Sequence, residues 1–250
     1  MTIDSEKDLA SLKRIGRIVA LTVEEMASKL EPGITTAELD AVGRAVLEKH
    51  GARSAPRLMY QFPGDTCISI NHEAAHGIPG PRRVEAGDLV NIDVSAELDG
   101  FFADTGSTFM VPPASRASEK LCQATRSALR RGMAAARAGA MLNEIGLAVE
   151  TEAARRGFRV ARSLTGHGVG RSLHEEPSSI LNFYNRMDRR RLKEGQVITI
   201  EPFLTPGSGR IAEAPDGWTL YTVDGQPLAQ YEHTLVITRG HPIVVTTTEG

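Results

Sequence analysis

The order of segments along this 250-residue chain constrains its fold more than any other feature, because helix-like and strand-like segments come in separate blocks. Apolar residues at helical spacing predict an amphipathic helix over residues 5–30. A second helix is predicted from Thr35 or Thr36, either of which can cap it, to about His50. Short runs rich in β-branched and aromatic residues then fill residues 60–111 and predict strands.

The second half of the chain repeats this order after a break at Pro112-Pro113. Helices are predicted over residues 115–138 and 142–156, and strand-like runs such as QVITIEPFL and YEHTLVIT follow them. Residues 84–100 also resemble residues 192–209, since each segment has a charged turn with glycine, a β-branched strand and a carboxylate. A duplicated αβ unit would give this likeness, and so would shared strand and turn preferences.

These patterns favour an α+β fold in one domain, residues 1–250, built from two pseudo-symmetric halves at roughly 1–112 and 113–250. A ligand site would then lie between the halves, where matching side chains converge.

Composition excludes several classes of partner and compartment. A net charge of −2 gives no strong field for nucleic acid or a membrane surface. The chain has only two cysteines, Cys67 and Cys122, so a disulfide framework is not expected. The first residues lack the apolar stretch of a signal peptide, and no apolar run approaches the roughly 18–20 residues that span a bilayer. The expected location is therefore the cytoplasm.

Four carboxylates stand inside apolar, strand-like segments: Asp93, Asp104, Glu201 and Glu232. Burying an isolated carboxylate costs several kcal/mol, so such groups normally protonate, form pairs or bind metal. A single strand acid is explained by an edge position or one salt bridge. Four of them in two matching contexts, with few cationic residues in the same segments, favour metal ions as the compensating charge.

The histidines add one candidate ligand to these acids. His167 has glycine on both sides, which lets backbone and ligand approach closely. His76 also lies in a constrained turn, whereas His50 and His241 are expected at the surface. Carboxylates with an imidazole and no thiolate suit Mn, Fe, Co or Zn in a hydrolytic site, which often holds two ions about 3.5–4 Å apart.

At these residues the chain resembles the type I methionine aminopeptidases. The resemblance covers nearly the whole chain, and it implies the pita-bread (creatinase/aminopeptidase) fold, in which two αβ halves with antiparallel sheets enclose a central dinuclear metal site. The matching motifs, in order, are CISINHEAAHGIPG (67–80), VNIDVSAELDGFFADT (90–105), TGHGVGRSLHEEP (165–177), ITIEPF (198–203) and AQYEHTLVI (229–237).

The resemblance implies a ligand set for two divalent ions. Asp93 would hold one ion with both oxygens, His167 and Glu201 would complete the other, and Asp104 and Glu232 would bridge the pair. This site would make the domain a catalytic one.

The implied activity is removal of the initiator methionine from peptides and nascent proteins, with a preference for a small second residue. A hydroxide held between the ions would attack the first peptide carbonyl. His174 would stabilise the oxyanion, Glu201 would carry a proton to the leaving nitrogen, and His76 would contact the scissile amide or the intermediate.

An apolar, sulfur-tolerant pocket would receive the methionine side chain. The chain departs from the common family pattern at Pro56, Met59 and Tyr60, which affects the rim of this pocket. The residues expected to line it, besides His76 and His174, are Phe62, Cys67, Trp218, Met59 and Leu173.

The expected partners are N-terminal methionine peptides and nascent chains, with a transient ribosome contact, no specific nucleic acid and no membrane. The expected oligomeric state is a monomer. Two alternatives stay open at this point. One is an Xaa-Pro aminopeptidase or prolidase on the same fold, and the other is a non-catalytic binding module that has the fold without turnover.

Overall fold

The computed structural model of the chain describes residues 1–248, so the last two residues of the predicted domain lie outside the described part. The helices are α1 (Glu6–Ser28), α2 (Thr36–Lys49), α3 (Ala55–Tyr60), α4 (Arg116–Ala135) and α5 (Leu142–Arg155).

Local capping explains where these helices begin. The Ser5 hydroxyl accepts the Asp8 N–H at the start of α1, and Thr35 and Glu38 form a reciprocal capping box at the start of α2. The four long helices confirm those predicted from apolar spacing, whereas α3, with six residues, is too short to show a period. Within residues 1–248, no helix combines the length and the apolarity that crossing a bilayer requires.

The strands are short except for one long hairpin, and every pairing between them in the described part is antiparallel. In chain order they are β1 (Arg53–Ser54), β2 (Cys67–Ile70), β3 (Glu73–Ala75), β4 (Leu89–Leu98), β5 (Phe101–Met110), β6 (Arg159–Val160), β7 (Thr165–Gly168), β8 (Glu175–Leu181), β9 (Val197–Ile200), β10 (Phe203–Thr205), β11 (Ile211–Glu213), β12 (Leu220–Thr222), β13 (Ala229–Gln230), β14 (His233–Val236) and β15 (Ile243–Val244).

Two larger sheets carry the elements that matter for the site. In the first, β5 pairs with one edge of β4 along its whole length, and β1 and β2 pair with the other edge. The second has the order β15-β14-β9-β7-β8. Helix α1 packs against β4, β5 and α2, while α4 packs against α5, which contacts β8. The smaller sheets have the orders β13-β10-β6 and β11-β12-β3.

The apolar core follows the alternation along the strands. Val90, Ile92 and Val94 of β4 are fully buried and pack with Leu12 and Ile15 of α1. A second cluster joins the helices α4 and α5 to β9 and β14. These layers confirm the predicted α+β class, and the division of one catalytic domain at residue 112 stays a prediction.

Candidate active site

A cavity of about 520 Å³ opens between the two larger sheets and brings most of the predicted site residues together. Glu232 lies just outside the cavity wall, with a carboxylate oxygen within 4.8 Å of ligand atoms of Asp104 and His167. Met59, expected in the methionine pocket, does not line the cavity; it lies on α3 and is 40% exposed. The predicted residues in the wall are Phe62, Cys67, His76, Asp93, Asp104, His167, Leu173, His174, Glu201 and Trp218.

The β4–β5 hairpin positions the two aspartates. Asp93 lies opposite Gly106 and Asp104 lies opposite Ser95. Because side chains alternate along a strand, Asp93 and Asp104 share the face turned away from the apolar core. Gly106 adds no side chain there, and a Cβ at this position would come within 2.3 Å of Gln230 Oε1. The hairpin register therefore sets the two carboxylates side by side.

The β9–β14 pair positions the two glutamates in a similar way. Glu201 directly follows β9 and Glu232 directly precedes β14. Ile200 lies opposite His233 in the antiparallel register, so the next pair along the ladder is Glu201 and Glu232. Glu201 and Glu232 thus lie side by side at the same end of the second sheet.

Hydrogen bonds between the two sheets bring the aspartates next to the glutamates. The Glu232 N–H donates to the Gly106 carbonyl at 2.9 Å, and the Thr105 hydroxyl donates to the Glu232 carbonyl at 2.7 Å. The Asp104 N–H donates to the Thr234 hydroxyl at 3.0 Å. These contacts between β5 and β14 join the segments that the sequence shows as separate motifs, and they make one cluster of four acids.

The surroundings disfavour negative charge on these carboxyls. Asp104, Glu201 and Glu232 are buried, and Asp93 is half-buried in the cavity wall. Burial first, and then the neighbouring carboxylates, raise the pKa values of Asp93, Glu201 and Glu232 well above their usual range. Burial raises the pKa of Asp104 to about 6. Within residues 1–248, no lysine or arginine forms an ion pair with any of the four.

His167 cannot supply the missing positive charge. Burial, and next the neighbouring His174, lower its pKa to about 3, so its imidazole is neutral. Its Nδ1 lies 2.9 Å from the Gly168 carbonyl, an acceptor that requires the proton on Nδ1. The lone pair of Nε2 then points toward Glu201 Oε1 at 3.6 Å and Asp104 Oδ2 at 3.8 Å.

This set of donor atoms fits divalent cations. Asp104 Oδ1 and Glu232 Oε1 are buried and make no hydrogen bond with the described residues. Such orphaned carboxylate oxygens beside a neutral imidazole are costly without a cation and favourable with one. The absence of a thiolate among them suits hydrolytic metals better than structural zinc.

Two more imidazoles face the open cavity near the acid cluster. The His174 ring lies 4.1 Å from the His167 ring, centroid to centroid. Desolvation lowers the pKa of His76. Desolvation, and next the nearby His76, lower the pKa of His174. His76 follows β3 with φ of 55°, and the chain passes so close to β2 that a Cβ on Gly77 would lie 2.2 Å from the Ile68 carbonyl oxygen. The turn therefore fixes where the His76 ring enters the cavity.

Apolar and aromatic side chains line the rest of the cavity. The Phe62 and Trp218 rings pack edge to face with centroids 5.2 Å apart. Burial, and next the negative charge of Asp93, raise the pKa of the Cys67 thiol well above its usual range, so the thiol stays protonated and is no nucleophile. Leu173 and Phe203 also contribute to this wall.

Comparison with known proteins identifies the family. The sequence model of metallopeptidase family M24 matches residues 10–239. The chain belongs to this family.

The relatives of this M24 peptidase agree with the resemblance found in its sequence. Methionine aminopeptidase 2 of Bacillus subtilis (strain 168) is 51% identical over 247 residues, which are 98% of this chain and 99% of that protein. The crystal structure of methionine aminopeptidase from Rickettsia prowazekii superposes with a TM-score of 0.94 at 36% identity, over 99% of this chain and all of that one. The predicted resemblance and the pita-bread fold are confirmed.

A prolidase shares the fold at a greater distance. The crystal structure of the prolidase from Pyrococcus horikoshii OT3 superposes with a TM-score of 0.79 at 24% identity. The match covers 99% of this M24 peptidase and 64% of the prolidase chain. This likeness shows the common fold alone.

The structure of this M24 peptidase also places residues at the site that the sequence patterns missed. The Gln230 amide donates to Glu232 Oε2 at 3.0 Å, and the Asn91 amide donates to Gln230 Oε1 at 2.7 Å. The Thr199 hydroxyl donates to Glu201 Oε1 at 3.1 Å. These bonds orient the glutamates, as partners behind a ligand group do in metal sites. For Asn91 the sequence does hold an indication of a role at the site, because Asn91 lies on the same face of its strand as Asp93.

Proposed function

We propose that this chain removes the N-terminal methionine from peptides and nascent proteins, preferring a small second residue, in a metal-dependent hydrolysis. The observation that carries the proposal is a single cavity with two kinds of wall. The acids and neutral His167 form a polar part of the wall, and Phe62, Cys67 and Trp218, which suit a thioether side chain, form an apolar part. The relatives named methionine aminopeptidases support it.

Five residues would hold two divalent ions of Mn, Fe, Co or Zn. Asp93 would bind one ion, His167 and Glu201 the other, and Asp104 and Glu232 both. When bound, a pair of such ions supplies an activated water and a Lewis acid for the peptide carbonyl. The protein contributes a fixed geometry, because hydrogen bonds from Thr199 and Gln230 orient the glutamates.

The remaining steps belong to side chains in the cavity. His174 offers a ring nitrogen to the oxygen that becomes negative as the carbonyl is attacked. His76 contacts the amide nitrogen that leaves, and Glu201 holds the proton that passes from the water to that nitrogen. A substrate's free α-amine, in its neutral form, would be a further ligand for one of the bound ions, and an internal peptide bond lacks such an amine. This requirement explains why one residue is removed at a time.

The test is the rate of amino-acid release from three peptides by the metal-loaded protein: Met-Ala-Ser, Met-Leu-Ser and Ala-Pro. We expect Met-Ala-Ser to be cleaved fastest, since both its first and second residues fit. Faster cleavage of Ala-Pro would favour the Xaa-Pro aminopeptidase or prolidase alternative. A protein that binds metal and cleaves none of the three would favour a non-catalytic binding module.

We also propose that the chain acts as a cytoplasmic monomer on nascent chains and contacts the ribosome only transiently. Sedimentation of the purified protein, alone and with ribosomes at increasing salt, would test both points. A stable dimer, or a salt-resistant ribosome complex, would contradict them.

A further inference from the structure

Tyr60, one of the positions where the chain departs from its family's common pattern, makes a direct contact with His174. Its hydroxyl oxygen lies 2.7 Å from His174 Nδ1. The two rings are tilted by 54°, with centroids 5.6 Å apart. Because the contact joins residues 114 positions apart, it depends on the assembled cavity.

We infer that the Tyr60 hydroxyl donates a hydrogen bond to His174 Nδ1 and so keeps the His174 proton on Nε2, the nitrogen offered to the substrate. Tyr60 is then a positioning residue, which acts through His174. The inference rests on the role proposed above for His174 as a donor to the carbonyl oxygen.

The direction of this hydrogen bond follows from the donor and acceptor groups of each partner. A neutral imidazole has one N–H and one lone pair, so a donor at Nδ1 places the proton on Nε2. Among residues 1–248, the Tyr60 hydroxyl has no other hydrogen-bond partner and His174 Nε2 has none at all. Burial, and next the Asp104 carboxylate, raise the pKa of Tyr60, which keeps its proton on the phenol.

Packing fixes the plane of the His174 ring as well as its tautomer. The His167 and His174 ring centroids lie 4.1 Å apart, and the Tyr60 hydroxyl lies 2.7 Å from His174 Nδ1. A ring held by two contacts loses little freedom when substrate binds, which favours a donor already aimed at its target.

Helix α3 explains how an exposed tyrosine is held in place. Tyr60 is its last residue, and Gln61 follows in the left-handed region with φ of 58°, which reverses the chain into buried Phe62. The Arg57 guanidinium pairs with Asp65 at 2.9 Å and ties the same helix to the loop behind it. Tyr60 is 43% exposed, yet its backbone is anchored on both sides.

The first test is Tyr60→Phe, which removes the hydroxyl and keeps the ring. We expect kcat on Met-Ala-Ser to fall on the order of tenfold, the worth of one good hydrogen bond, with KM little changed because the methionine wall is untouched. Tyr184→Phe is the matched control, since Tyr184 has a similar exposure of 45% and lies outside the cavity wall. It should leave both constants unchanged.

A double variant separates positioning from general damage. In a His174→Ala background, Tyr60→Phe should have no further effect on kcat, because the group it orients is gone. A further loss of similar size in that background would overturn the inference, and so would a Tyr60→Phe variant with the wild-type kcat.

A second readout does not depend on turnover. The ¹⁵N shifts of the His174 ring in the full-length, metal-free protein report which nitrogen carries the proton. We expect Nε2 protonated in the wild type and a mixture of tautomers in Tyr60→Phe. A wild-type proton on Nδ1, or an unchanged tautomer in the variant, would overturn the inference. Peptides left uncleaved by the wild type would instead contradict the proposed function and leave this readout valid.

Discussion

Asp104→Asn should stabilise the metal-free protein at neutral pH, although it removes a proposed metal ligand. The buried Asp104 carboxyl has its pKa raised to about 6 by burial. The folded protein therefore binds the Asp104 proton more tightly than the unfolded chain does. Stability is then lost as pH rises from the unfolded value of 3.8 through the folded value of about 6. Asparagine keeps the shape and carries no charge.

The magnitude follows from the shift in pKa. A rise from 3.8 to about 6, at about 1.4 kcal/mol per pKa unit, makes the ionised carboxylate cost the folded state about 3 kcal/mol at pH 7.5. At pH 5 the folded state keeps most of the proton, and the cost is about half as large. For a chain of this length each kcal/mol shifts Tm by roughly 2–4 °C. Metal-free Asp104→Asn should therefore melt roughly 6–12 °C above the metal-free wild type at pH 7.5.

Calorimetric melting in excess chelator at pH 5 and pH 7.5 measures this effect. The gap between variant and wild type should shrink at pH 5, and it should reverse sign in the metal-loaded proteins, where the variant lacks a ligand. Glu194→Gln is the control, because that carboxylate is 55% exposed and pairs with an exposed arginine. A metal-free Asp104→Asn variant that melts below the wild type at pH 7.5 would show that the buried Asp104 carboxylate does not destabilise the folded protein.

Three further variants test other parts of the site. His76→Ala should lower kcat strongly with metal content retained, and loss of metal by elemental analysis would instead make His76 a ligand. Gly166→Ala should weaken metal binding in calorimetric titration, because its Cβ would lie 2.5 Å from the Thr199 carbonyl oxygen; Gly80→Ala, whose nearest atom is 3.9 Å away, should bind like the wild type. Asp40→Ala leaves two buried N–H groups and a hydroxyl of the loop before β2 without their acceptor. Urea unfolding should show a loss of about 2–3 kcal/mol, and an unchanged midpoint would contradict that role.

The sequence predicts the parts of the site that depend on local pattern. Alternation along β4 places Asp93 opposite the face of Val90, Ile92 and Val94, and those three are buried as this pattern requires. The four acids are singled out because each lies in an apolar, strand-like segment of the sequence, and in the structure Glu201 and Glu232 lie at the ends of their strands. The helices followed from apolar spacing, and their ends from caps such as Thr35.

Contacts between distant segments were beyond the reach of these patterns. The hydrogen bonds from Gln230 to Glu232 and from Tyr60 to His174 depend on how sheets and helices assemble. The helical and strand periodicities of the sequence do not predict how these elements pack against one another. Met59 illustrates the same limit, because Pro56 and Tyr60 of helix α3 reach the cavity while the Met59 side chain lies outside its wall.

The proposed dinuclear site is tested most directly by methionine release from Met-Ala-Ser while Mn²⁺ or Co²⁺ is added back to the metal-free protein, with bound metal measured in the same samples. Turnover should rise with metal occupancy and level off at two ions per chain. Asp104→Ala, which lacks a ligand proposed for both ions, should regain no activity at any metal concentration. Full turnover by Asp104→Ala, or none by the metal-loaded wild type, would contradict the proposed dinuclear site.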